Sequence, residues 1–188
     1  MTGPAAQAAT LSDPLSIARC FVRGRLERES LPGFPGGALP ASLDEGYGIQ
    51  DAAIGIWPDQ VAGWKVGRVP TEHQGPLQAE RLAGPIFSRN VWLAGPAPTP
   101  FAVFAGGFTA VEAEFVYRLA EDAPLDKTDW TPAEALGLVE GLFMGVEIAS
   151  SPLATINRLG PLAVVSDFGN NAGLILGREL SGWRDRSD

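Results

Sequence analysis

The segment Thr109-Ala-Val-Glu-Ala-Glu-Phe-Val-Tyr117 constrains this chain more than any other. Val111, Phe115, Val116 and Tyr117 favour an extended backbone. Side chains on a strand alternate between its faces, so Glu112 and Glu114 point the same way. Two carboxylates held side by side repel each other. Water can screen such a pair on a wet sheet face, and Arg118, further along that face, is a candidate surface partner. The functional alternative is a cation between them. A hard cation such as Mg²⁺ takes oxygen ligands and often only one or two carboxylates, leaving positions for water and substrate.

The rest of the chain must supply a scaffold for that strand. Gly 23 and Pro 16 in 188 residues favour turns and short strands over a helical bundle. Residues 1–11 read as a frayed end. Asp13-Pro14 predicts an N-cap with proline at the first helical position, and Leu15, Ile17, Ala18, Phe21 and Val22 carry an apolar stripe to about Glu29. Leu31 to Pro40 is a Pro/Gly-rich loop. Ser42-Leu-Asp-Glu45 is a capping box opening a helix that ends near Trp57-Pro58.

The pattern then turns to strands. Val61 to Gly67 is a short one, residues 70–85 are loop-like with a helical turn at Leu77 to Leu82, and Ile86 to Leu93 and Phe101 to Ala105 are strand candidates around a Pro-rich connection. The glutamate strand follows at about 110–119. Thr131-Pro-Ala-Glu134 starts a helix whose spacing runs through Leu136, Val139 and Phe143. Gly145 to Ala149 is a strand, Ser150 to Gly160 a connection, Leu162 to Asp167 a strand, Phe168 to Asn171 a turn and Gly173 to Gly177 a strand. Two helices followed by strands with one inserted helix make an α+β fold, not a βαβ alternation. The length suits one domain, residues 1–188, with a helical N-terminal segment over 1–58 and a β-rich part over 59–188.

Charge and residue counts narrow the chemistry. A net charge of −8 argues against nucleic acid or an anionic membrane surface as partner. An acidic protein that binds a small anion needs a local cation. Cys20 is the sole cysteine, which excludes an internal disulfide and a thiolate metal cluster. His73, the sole histidine, sits in a loop-like stretch, and there is no Gly-x-Ser-x-Gly elbow. The N-terminus lacks a basic start and a continuous apolar core, and Pro100 to Val111 is too short and Gly-broken to span a bilayer, so a soluble, cytoplasmic protein is expected.

Two further residues bear on the carboxylate pair. Glu147 lies in the apolar stretch Met144-Gly-Val-Glu-Ile-Ala-Ser150, and glutamate is rarely buried without a partner. It is either at a wet edge or beside Glu112 and Glu114, where the three would form an oxygen site for Mg²⁺ or Mn²⁺. Lys65, between Trp64 and Val66 on a Gly-flanked strand, is either a snorkelling surface lysine or a partly desolvated one suited to proton transfer or carboxylate binding.

Gly63-Trp-Lys-Val-Gly67, Val111-Glu-Ala-Glu-Phe115, Val146-Glu-Ile-Ala-Ser-Ser151 and Val165-Ser-Asp-Phe-Gly-Asn-Asn-Ala-Gly173, in this order, resemble the 2-keto-4-pentenoate hydratase / 4-oxalocrotonate decarboxylase group of the fumarylacetoacetate hydrolase superfamily. The likeness runs from about Tyr47 to Gly177. It implies N-terminal helices leading into a mixed β-roll. It implies Mg²⁺ or Mn²⁺ held by Glu112, Glu114 and Glu147, with a 2-oxo or 2-hydroxydienoic acid from aromatic-ring degradation chelating the metal. Lys65 would bind the substrate carboxylate or move protons, and Asp167 to Asn171 would line the site. A homo-oligomer is also expected.

The chain departs from the family in two ways. Family hydratases carry an acid in a Pro-Asp-Phe-like stretch, where this chain has Pro85-Ile-Phe87. The chain also stops soon after Gly177, where family members continue. The resemblance therefore implies a shortened form, or a roll completed by a partner subunit. Three activities remain open at this stage: a hydratase or decarboxylase, an acylpyruvate-type C–C hydrolase, and a catalytically silent structural fragment.

Overall fold

The computed structural model describes residues 13–185, so the expectation for residues 1–11 lies outside it. Asp13 caps α1 (Pro14–Glu27) by accepting from the Ser16 N–H at 3.0 Å. Ser42 caps α2 (Leu43–Ile56) through the Glu45 N–H, while the Glu45 carboxylate reaches back to the Ala41 N–H. The two helices pack their apolar stripes together. Ile17, Ala18, Phe21, Val22, Ile49 and Ala53 are buried there with Phe87, Leu153, Ile156 and Phe168.

A two-stranded antiparallel sheet joins β1 (Val61–Arg68) to β2 (Arg81–Phe87). A four-stranded sheet has the order β3-β6-β5-β4, with β3 (Val91–Leu93) parallel to β6 (Asn171–Glu179) and the other pairs antiparallel. In it β4 (Phe108–Leu119) is an edge and β5 (Val139–Ser151) is interior. The helices α3 (Thr71–Leu77), α4 (Pro132–Gly137), α5 (Ile156–Leu159) and α6 (Pro161–Ser166) are short. The α+β class and the helices-then-strands order are those expected.

Several elements differ from the sequence reading, each for a physical reason. The helical turn lies earlier, at α3, and Arg81 already begins β2 despite Gly84 and Pro85. Long-range pairing to β1 overrides local propensity here. It also uses the glycine: a Cβ at Gly84 would sit 2.2 Å from the Phe168 carbonyl oxygen. The run Ile86 to Leu93 is broken by a 3₁₀ turn at Ser88–Asn90, where Asp59 accepts from the Ser88 hydroxyl and the Arg89 N–H. Phe101 to Ala105 is irregular rather than a strand.

The capping box at Thr131 and Glu134 forms, but α4 ends at Gly137. Val139 and Phe143 are four residues apart, a spacing that fits period 2 as well as a helix. They are buried on β5 in a strand alternation. Leu162 to Asp167 is not a strand. Pro161 starts α6, which packs on α2 so closely that a Cβ at Gly46 would meet Val165 at 2.5 Å.

Candidate metal centre

The register of β4 on β5 builds the site. Glu112 is directly opposite Glu147, and Glu114 is opposite Gly145. Directly opposed side chains share a face, with Cβ atoms about 4.5–5.5 Å apart. One carboxylate oxygen from each of Glu112, Glu114 and Glu147 lies within 4.8 Å of the others. The strand positions decide their exposure. Glu112 and Glu114 stand on the edge strand and are exposed, whereas Glu147, with β4 on one side and β6 on the other, is buried. Arg118 does not serve the pair: it bonds Glu140 at 2.8 Å.

Lys65 reaches the cluster from β1. Its Nζ lies 3.4 Å from Glu147 Oε1 and 3.3 Å from Asn170 Oδ1, with both charged side chains almost enclosed. Asn171 Nδ2 donates to the same Glu147 oxygen at 3.0 Å. Burial pushes the Glu147 carboxyl above the ordinary glutamate range, and the neighbouring Glu112 adds to that. Lys65 and the Asn171 hydrogen bond oppose it. Both donors converge on Oε1, which leaves Oε2 without a protein donor among the described residues.

The turn between α6 and β6 aims these donors. Phe168, Gly169 and Asn170 have φ of 56°, 60° and 55°, three successive left-handed residues. That conformation is costly for the two non-glycine members and is sustained by packing around it. Asn170 is held further by Asn157, which accepts from its Nδ2 at 3.1 Å. Asp167 stands apart from the cluster. Its Oδ1 accepts from Arg25 Nε at 2.5 Å and its Oδ2 from the Ser151 hydroxyl at 2.6 Å. Oδ1 is thereby held in a buried ion pair and Oδ2 in a hydrogen bond to a hydroxyl.

Sequence reasoning missed Arg25, and it placed Asn170 only within the segment 167–171 expected to line the site. A charged residue four positions after Phe21, on the apolar stripe of α1, was the available signal for Arg25. The bond from Lys65 to Asn170 could not be read from that segment, because it depends on the left-handed turn.

A cleft of about 320 Å³ opens on the cluster. Lys65, Glu114 and Glu147 are at its polar end, and Trp64, Ile86 and Phe115 are among its apolar walls. The donor set suits a hard divalent cation: three carboxylates from two paired strands, one with a free oxygen, supply oxygen ligands on one side of an ion. An exposed acidic pair alone would not point this way. The buried third member makes the difference, since a desolvated carboxylate needs partners and Lys65 and Asn171 meet only one of its two oxygens.

No family model and no curated protein matches the sequence. Solved structures match the fold. The fold is similar to that of 4-oxalocrotonate decarboxylase from Pseudomonas putida G7 complexed with magnesium and adipate, with a TM-score of 0.70, 16% identity and 93% of this chain covered. The same enzyme complexed with calcium and acetate gives a TM-score of 0.67 and 17% identity. This chain spans 66% of the length of each. The resemblance carried by the sequence motifs is thus matched in the fold. Among the described residues, no helix is long and apolar enough to cross a membrane.

Proposed function

We propose that this chain is a divalent-metal-dependent lyase acting on a short 2-oxo or 2-hydroxydienoic acid, as in the breakdown of aromatic compounds, with Mg²⁺ or Mn²⁺ held by Glu112, Glu114 and Glu147. The observation that carries the reading is the buried Glu147, whose carboxylate shares one face with Glu112 and Glu114 and one oxygen with Lys65. A bound cation would supply Lewis acidity to the carboxylate and 2-oxo oxygens of such an acid, favouring its enolate. Lys65 would hold the substrate carboxylate or carry the proton that the enolate takes up. Asn171 would orient Glu147 and border the substrate. The apolar walls of the cleft would seat the carbon chain and limit water.

Decarboxylation is favoured over hydration. Ile86, which stands where family hydratases carry an acid, is buried and lines the cleft. Among the described residues, no titratable side chain lines it apart from Lys65, Tyr117, Glu114 and Glu147, so activation of water has few candidates. In the proposed step the C–C bond to the departing carboxylate breaks, its electron pair enters the conjugated enolate, CO₂ leaves, and a proton taken up at the enolate oxygen gives the 2-hydroxydienoate. The test is product analysis on 4-oxalocrotonate with Mn²⁺. Stoichiometric CO₂ and a five-carbon dienoate support the reading. Hydrated product indicates a hydratase, and C–C hydrolysis products from an acylpyruvate indicate the hydrolase. No turnover of any of these despite bound metal would leave the silent-fragment reading.

A second copy of the chain is the expected partner. The edge strand β4 exposes Val111, Phe115, Tyr117 and Leu119 beside unpaired backbone groups, a surface that favours association.

A further inference from the structure

A second cavity, of about 570 Å³, lies between the C-terminal end of α1 and the irregular stretch 100–104, and no carboxylate among the described residues lines it. Aromatic residues, Trp57, Phe87, Trp92 and Phe168 among them, form part of its walls, and Arg25 and Arg28 supply its charge. In a protein of net charge −8 this is an unusual place for two arginines. The rings are already organised: Trp57 stacks on Phe87 at 5.1 Å between centroids, and Phe168 meets both edge-on.

The two arginines play different parts. Arg25 is buried, and its charge is matched by Asp167. A guanidinium has five N–H donors. Four contacts are made: Nε to Asp167 Oδ1, Nη1 to the Asn171 carbonyl, and Nη2 to the Ser150 and Asp167 carbonyls. One Nη1 proton therefore has no protein acceptor among the described residues. Arg28 ends α1 in the left-handed conformation (φ 58°), is exposed, and makes no ion pair among the described residues. The uncompensated positive charge of the cavity is thus on Arg28, and Arg25 offers a fixed donor.

We infer that this cavity binds a small planar aromatic carboxylate, at a site distinct from the cleft on the glutamate cluster, with Asn171, which lines the cavity and donates to Glu147, standing between the two. The ring would lie among Trp57, Phe87 and Trp92, and the carboxylate would take the free Arg25 proton and the Arg28 charge. Pockets of this size are mostly apolar with a few polar groups that fix orientation, and planar guanidinium groups match carboxylate geometry. The inference needs no metal and stands independently of the proposed reaction.

Benzoate is the probe and benzamide its neutral counterpart. Each is titrated into the full chain in the presence of a chelator, with tryptophan fluorescence and thermal unfolding as readouts, since Trp57 and Trp92 line the cavity. Benzoate should bind with a dissociation constant on the order of 1 mM or tighter, and benzamide much more weakly. Arg28→Gln, at an exposed position, should weaken benzoate roughly tenfold, while Glu114→Ala should leave it unchanged. Equal binding of benzamide, unchanged benzoate affinity in Arg28→Gln, loss of binding in Glu114→Ala, or no binding to the folded wild-type chain would each overturn the assignment.

Discussion

Two adjacent strands supply the carboxylates, and they do so under opposite conditions. On the edge strand β4, Glu112 and Glu114 stand in solvent, where water screens their repulsion. On the interior strand β5, Glu147 is buried against Lys65 and Asn171. The pair on β4 costs the fold little and by itself signals little. Glu147 is desolvated, carries a raised carboxyl pKa, and is held by two donors at one oxygen. Fold and chemistry meet on β5, and β4 completes the donor set.

Substitutions should separate the two halves. The largest effect is expected of Glu147→Ala. It should abolish metal binding and also lower the stability of the metal-free protein by about 3–5 kcal/mol, because Lys65 is left buried without its partner. Denaturant unfolding would check the second part, and an unchanged midpoint would contradict the assigned burial. Glu112→Ala should lower Mn²⁺ affinity by more than roughly 100-fold, beyond the usual effect of outer partners. Its metal-free stability should stay within about 0.5 kcal/mol of the parent, as at other exposed positions. Calorimetric Mn²⁺ titration beside thermal unfolding reads both.

Asn171→Ala leaves all three carboxylates and removes one donor to Glu147, so a loss of roughly 10–100-fold in metal affinity is expected. A loss as large as that of Glu112→Ala would make Asn171 part of the ligand set rather than its support.

The smallest expected effect is a pH slope in the metal-free protein. The Glu147 pKa is raised from the ordinary value of 4.5 on folding. Below that value both states hold the proton and the full contribution is present. As pH rises, the unfolded chain loses its proton first, so stability falls until the native pKa is passed. Glu147→Gln should remove this component of the slope, whereas Glu114→Ala should not. Glu134 supplies a contrast of opposite sign. It is an exposed carboxylate lowered to about 2 by Lys127 and the Thr131 cap, and its contribution is lost only as pH falls below the ordinary range.

The same contrast explains what was legible in the sequence. Strand alternation put Glu112 and Glu114 on one face without further help, and the caps at Asp13, Ser42 and Thr131 marked three helix starts. The position of Glu147 in an apolar run signalled burial or an edge but did not choose between them. That choice depends on β6 pairing with its other side, a long-range fact. β2 and α6 were misread because Gly84 and the valines 164 and 165 follow local propensity in sequence but obey packing in the fold. Asp167 lay in a motif that resembled a site wall, yet its partner Arg25 comes from a helix far away in the chain. Such buried ion pairs are hard to foresee, because neither residue carries a local signal for the other.

The central claim is that three glutamates from two strands hold a cation able to bind a 2-oxo acid. Thermal unfolding with Mn²⁺, with and without oxalate as a chelating enolate mimic, tests it most directly. Oxalate at 100 times its dissociation constant should add roughly 2.7 kcal/mol of stability, which at this chain length is a rise of several degrees, about 2–4 °C per kcal/mol. The account predicts a rise that requires Mn²⁺ and disappears in Glu112→Ala and Glu114→Ala. An oxalate response that needs no metal, or one that survives both substitutions, would contradict it.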